Sequence, residues 1–216
     1  MTSHDHLGDN HIGTKTDTPM LPDAFETSDS EKIKNIQFHF SQIMKELGLD
    51  LRDESLSGTP YRYAKMYVEE LFYGLNPANK PRLSTFPNKY GYQKLLVERD
   101  IVVDSSCEHH FLPICGFAHI GYIPNDKVIG LSKLNRLVDY YSHRPQVQER
   151  LCMQIHRDLV ETLETQDVIV AISAKHLCVS SRGIQDKSSS TTTVEFSGAF
   201  EDIRSRKEFF QFVDLK

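Results

Sequence analysis

No apolar run in this 216-residue chain approaches the roughly 20 residues that a membrane-spanning helix requires. The start of the chain also lacks the apolar core of a secretory signal peptide, so the expected location is cytoplasmic, with no membrane partner. Positive charge is in short supply: 25 Lys and Arg against 30 Asp and Glu give a net charge of −5 and a pI near 6.0. That balance offers no general attraction to nucleic acid or anionic lipid, so any phosphate-binding groups must be clustered locally. Cysteine is sparse as well, with four residues that lack the close spacing of a disulfide framework. Such usage fits a reducing compartment, where thiolates stay available to a metal. At this length the chain forms one large domain, or a compact domain with extensions, and therefore one catalytic unit.

Two of the cysteines stand in histidine-bearing segments, Cys107-Glu108-His109-His110-Phe111 and Lys175-His176-Leu177-Cys178-Val179. Cys107, His110 and Cys178 offer two thiolates and one imidazole, the donors that a borderline-soft dication such as zinc prefers. Three protein ligands leave a tetrahedral position open for water, the pattern of a catalytic site, and no second short Cys/His pair supplies a fourth ligand. His109 and His176 are then left over to move protons. Spacing alone keeps another reading open, because buried cysteines also serve as small hydrophobes and the two segments lie far apart in the chain.

Residues 1–27 are rich in Asp, Thr, Gly and His and read as a disordered, mobile tail, with His4, His6 and His11 solvated rather than metal-bound. Residues 28–92 read as a helical extension. Ser28 and Glu31 have capping-box spacing, and Ile33, Ile36, Phe40, Ile43 and Leu47 follow on one helical face as far as Gly48. A second helix is expected with Thr59 as N-cap and Pro60 at N1, carrying Met66 and Leu71 inward and stopping near Gly74.

Residues 93–216 read as the catalytic domain. Strands are expected over Leu95 to Asp104 and Gly116 to Ile123, with Cys107 to Pro113 as their connection. Helices from Ser132 to Ser142 and from Pro145 to about Leu163 follow, then strands Val168 to Cys178 and Thr191 to Phe200, then a short helix around Phe209, Phe210 and Phe212. The layout is α+β: an antiparallel four-stranded sheet with helices on one face and two edges that need partners. On the expected strand His176 projects to the same face as Cys178. Cys152 reads as core and Cys115 as a spare thiol.

Five blocks, Gly58 to Met66, Cys107 to Pro113, Val128 to Arg136, Arg144 to Leu151 and His176 to Gly183, together resemble GTP cyclohydrolase I in content and order. The resemblance implies a tunnelling fold whose subunit sheets join into a barrel, with two pentameric rings stacked into a homodecamer. It implies Zn2+ as cofactor and GTP as substrate: water adds at C8, the imidazole ring opens, formate leaves, and the product recloses as 7,8-dihydroneopterin triphosphate. That is the first step of tetrahydrofolate and pterin biosynthesis. Phe117 stands where this family often carries Lys, and it touches no residue given a role.

On the same resemblance Cys107, His110 and Cys178 hold the metal, His109 protonates the purine nitrogen and His176 serves later proton transfers. Glu149 reads the guanine N–H groups, Gln148 is a second base contact, and Arg62, Ser132, Lys133, Arg136 and Arg182 clamp the triphosphate. Taken singly, Glu149 is also an ordinary helix-start carboxylate, His176 a core histidine and each cation a surface charge. Two other classes stand beside the enzyme: a tunnelling-fold relative acting on another purine or pterin, and a non-catalytic zinc module. The zinc-type donor set argues against the first, and an open site beside two spare histidines against the second.

Overall fold

The computed structural model describes residues 16–213, so His4, His6 and His11 lie outside the described residues. Helix α1 (Asp29–Glu46) begins as its capping signal predicts: the Ser28 hydroxyl accepts from the Glu31 backbone N–H at 3.3 Å, satisfying one of the orphan donors of the first turn. Gly48 follows its end at φ +80°, a left-handed position that a side chain would strain. The expected apolar stripe is only partly covered, since Ile33 is buried whereas Ile43 and Leu47 are exposed.

A short helix α2 (Glu54–Ser57) leads into α3 (Thr59–Met66). The N-cap of α3 is Gly58 rather than Thr59, because the Gly58 carbonyl already accepts from the Arg62 N–H at 3.1 Å. Ala64 and Pro60 are its buried residues, while Met66 and Leu71 are only half-buried. A π-helical turn, Tyr67–Leu71, continues α3. Phe40, Tyr63 and Tyr67 stack face to face, with centroids 3.6 and 4.2 Å apart, and join α1 to α3.

The remaining elements are β1 (Thr85–Pro87), β2 (Leu96–Cys107), β3 (Pro113–Tyr122), β4 (Lys127–Ile129), α4 (Leu131–Ser142), β5 (Pro145–Gln146), α5 (Gln148–Leu163), β6 (Val168–His176), α6 (Leu177–Ser180), β7 (Thr191–Phe196) and α7 (Ile203–Phe212). The main sheet runs β5-β2-β3-β6-β7, and β1 and β4 form a separate pair. Four of its strands are antiparallel as expected, but a fifth is added. Pro145 and Gln146, expected to open a helix, instead lie parallel to Ser106 and Cys107, and α5 starts only at Gln148.

α4 and α5 pack on one face of the sheet, where Leu134, Leu137, Leu151, Ile155 and Leu159 meet Val103, Ala118, Ile120, Val168, Val170 and Ile172. Full burial of each such Leu or Ile is worth about 1.5–3 kcal/mol relative to exposure. The expectation of helices on one face needs correction. The near-continuous apolar run of β6 buries both faces, and Ile169 and Ala171 pack on the far side against Phe200, Phe209 and Val213 of the C-terminal segment. Gly121 makes this possible, since a Cβ there would sit 2.7 Å from the Phe209 ring and 2.9 Å from Ile169. Within the tail expected to be mobile, Asp17 accepts from Gln154 and Arg157 of α5, both at 3.1 Å.

Candidate active site

Three junctions of the chain converge at one end of the main sheet. The first is the β2–β3 turn. The Cys107 carbonyl accepts from the Phe111 N–H at 2.8 Å, and the Cys107 N–H donates to the Leu112 carbonyl at 2.8 Å. Phe111 takes φ +54° to close the turn, and this brings the side chains of Cys107 and His110 together. The second is the end of β6: antiparallel pairing sets His176 against Ile114 at the start of β3, which delivers α6 to that turn. The third is the start of α5, held there because Gln146 pairs with Cys107 and its carbonyl accepts from the Glu108 N–H at 3.0 Å.

The ligand atoms of Cys107, His110 and Cys178 lie within 4.8 Å of one another. Cys178 is on α6 and not on the strand, so it reaches the group by a helical turn rather than by sharing a strand face with His176. Burial, followed by the neighbouring Cys107 thiol, pushes the Cys178 thiol up to about 11. A nearby cation would favour the Cys178 thiolate, and two sulfurs with one imidazole nitrogen are a donor set that could hold a metal ion.

Arg182 donates to His110 Nε2 at 2.9 Å, so one expected phosphate contact touches the metal group itself. His109 Nδ1 lies 3.7 Å from Cys107 Sγ, and its Nε2 lies 3.8 Å from Glu108 Oε1. His176 is half-buried, which holds its imidazole below the usual value of 6.5, while Glu149 pulls the other way. Its Nε2 is 2.8 Å from Gln148 Oε1.

A cavity of about 570 Å³ is lined by Cys107, His109, Gln148, Glu149, His176 and Cys178, with Thr16, Gln146, Val147, Arg150 and Met153 completing its wall. Arg62, Ser132, Lys133 and Arg136 are not among its lining residues. Arg62 instead donates to Thr59 Oγ1 at 3.1 Å on α3, and the other three sit in the first two turns of α4. Gln148, expected as a second base contact, is buried, and its amide is engaged by the protein itself. Cys152 is in the core as expected, its thiol pushed up to about 12 by burial. Cys115 and Phe117 line a second cavity of about 710 Å³ that also takes in His119 and Lys175 and includes none of the metal ligands.

Glu108 and Arg150 had no role in the sequence reading. Arg150, with its side chain 2% exposed, donates to Glu108 and ties α5 to the turn that carries Cys107 and His110. No local signal marked the pair, because Arg150 follows Gln148 and Glu149 and reads as one more polar residue of a helix start.

The sequence model of the GTP cyclohydrolase I family matches residues 36–214. The GTP cyclohydrolase 1 of Flavobacterium johnsoniae is 53% identical over 211 residues, covering 98% of this chain and 95% of that protein. That of Shewanella sp. (strain ANA-3) is 47% identical over 194 residues, covering 89% of each chain. That of Citrobacter koseri is 46% identical over 198 residues, covering 91% of this chain and 89% of its own. With the family's sequence pattern spanning most of the chain and a Cys-His-Cys group assembled at a cavity, the chain belongs to the GTP cyclohydrolase I family.

Proposed function

We propose that this chain hydrolyses GTP and rearranges its ring to give 7,8-dihydroneopterin triphosphate and formate, the first step of tetrahydrofolate and pterin biosynthesis. The observation that carries this reading is the meeting of Cys107, His109, Glu149, His176 and Cys178 at one cavity in a chain of this family. Cys107, His110 and Cys178 would hold Zn2+. When bound, zinc supplies Lewis-acid polarisation and a water acidified toward about pH 7.

The protein's own groups do the rest. His109, beside the Cys107 thiol, delivers a proton to the purine nitrogen as the C8 bond opens. His176, whose imidazole burial holds below its usual value against the pull of Glu149, accepts and returns protons in the later rearrangement. Glu149, the exposed residue in the first turn of α5, accepts two guanine N–H bonds, a pairing that adenine does not offer. Arg182, next to His110, takes the triphosphate together with Arg62, Ser132, Lys133 and Arg136.

The last four residues stand away from this chain's cavity, which supports a pocket completed by a neighbouring subunit. On this reading residues 93–216 are a tunnelling-fold catalytic domain behind the 28–92 helical extension and the 1–27 tail. Their sheets join into a barrel within a cytoplasmic homodecamer. Incubation with GTP tests the activity: formate and, after oxidation, a fluorescent pterin are expected, and GTP left intact by zinc-loaded protein refutes it.

A further inference from the structure

Gln148 is the first residue of α5, is 2% exposed, and has both side-chain polar atoms engaged inside the protein. Nε2 donates to the Ile172 carbonyl at 2.9 Å and the Thr191 carbonyl at 3.0 Å, and reaches Thr193 Oγ1 at 3.2 Å. Carbonyl oxygens only accept, so the amide nitrogen must face β6 and β7 and Oε1 must face His176. An amide oxygen also only accepts, so the proton in the 2.8 Å contact belongs to His176 Nε2. In the neutral ring this leaves the lone pair on Nδ1, which has no hydrogen-bond partner among the described residues.

The amide bridges three elements: α5, which carries it, the end of β6, which carries His176, and β7. No helix cap holds it there, for the N-cap of α5 is Val147 with no side-chain bond. A direct contact to the guanine would require Gln148 to give up His176 or the Ile172 and Thr191 carbonyls. We infer that Gln148 is a positioning residue acting through His176, fixing the ring as the Nε2–H tautomer so that Nδ1 is the atom exchanging protons with the substrate. This rests on the reading of His176 as a proton carrier.

Gln148→Met keeps the length of the side chain and removes its hydrogen bonds. In the zinc-loaded enzyme its kcat should fall on the order of 10²-fold, with KM for GTP, the preference for GTP over ITP and the zinc content unchanged. Gln148→Asn keeps an amide too short to reach the ring; it should lose kcat in the same way, and it carries the comparison if the Met variant does not fold. In a His176→Gln background, Gln148→Met should cost nothing further. Solid-state nitrogen-15 spectra of histidine-labelled enzyme should show His176 protonated at Nε2.

A raised KM or a weakened preference for GTP over ITP with kcat unchanged would make Gln148 a base contact and overturn the inference. A full multiplicative loss in the His176→Gln background, or a ring protonated at Nδ1, would overturn it as well. Full turnover by His176→Gln alone would instead remove the proton-carrier reading beneath it, a failure distinguishable from the others.

Discussion

Arg150 donates to Glu108 Oε2 through Nη1 at 2.9 Å and through Nη2, and this ion pair joins the helix that carries Glu149 to the turn that carries Cys107 and His110. The two partners differ in exposure, with side chains 2% and 24% accessible. Glu108→Ala strands a buried guanidinium, whereas Arg150→Met leaves a carboxylate that water can still reach. Stranding a buried charge costs about 3–5 kcal/mol. Glu108→Ala should therefore lower the denaturation midpoint more than Arg150→Met does, and the double variant should recover much of that loss. Midpoints measured at one protein concentration decide it; equal losses from the two single variants would show that the pair is not organised by burial.

Zinc should copurify at about one ion per chain, and Cys107→Ala, His110→Ala and Cys178→Ala should each lose both metal and turnover. His109→Ala and His176→Ala should keep the metal and lose most of kcat, since the three ligands remain. Glu149→Gln should reduce the discrimination between GTP and ATP more than it reduces stability. Elemental analysis beside steady-state kinetics separates these groups. Full zinc occupancy in Cys178→Ala, or loss of zinc in His176→Ala, would reassign the residue concerned.

His119 is 3% exposed and accepts the Asp100 N–H on Nδ1 at 3.2 Å. Burial holds its imidazole below 6.5, opposed by Asp100 and assisted by Arg99. The unfolded chain thus takes up this proton at a higher pH than the folded one does. Stability should be fully present above 6.5 and decline as pH falls from there toward the folded value. His119→Gln, which keeps an acceptor and cannot titrate, should lose less stability between about pH 7 and about pH 5. Urea midpoints across that range provide the measurement, and an unchanged slope would exclude His119 as a contributor.

Mixed-subunit reassembly tests where the pocket is completed. Cys107 and Glu149 line one cavity within one chain. Reassembled mixtures of Cys107→Ala and Glu149→Ala subunits should therefore stay inactive. Arg62 lies outside that cavity, so mixtures of Cys107→Ala and Arg62→Ala should regain part of the activity if neighbouring subunits supply the phosphate contacts. Activity in the first mixture and none in the second would reverse the assignment.

Several features were legible from neighbouring residues alone. Ser28 and Glu31 marked the start of α1, and the switch from a helical to an alternating period marked β2 and β3. The donor chemistry of Cys107, His110 and Cys178 suggested a metal group, although spacing alone left buried core thiols as an alternative. Each depends on contacts within a few residues or on side-chain chemistry, which a linear chain displays directly.

Other features depend on which distant segments meet, and only the tertiary structure decided them. Pro145 and Gln146 became a strand because Ser106 and Cys107 offered them a partner, overriding a helical pattern that begins two residues later. Cys178 left the strand for a helical turn, and α7 took the far face of β6, which its apolar run had left in need of cover. Gln148 and Arg150 look alike in the sequence as polar residues near a helix start, and Glu108 as a polar residue of a strand connection. Their roles differ because hydrogen bonds between β6, β7, α5 and the β2–β3 turn close over long stretches of chain, and a buried polar group is assigned its function by the partner that packing brings to it.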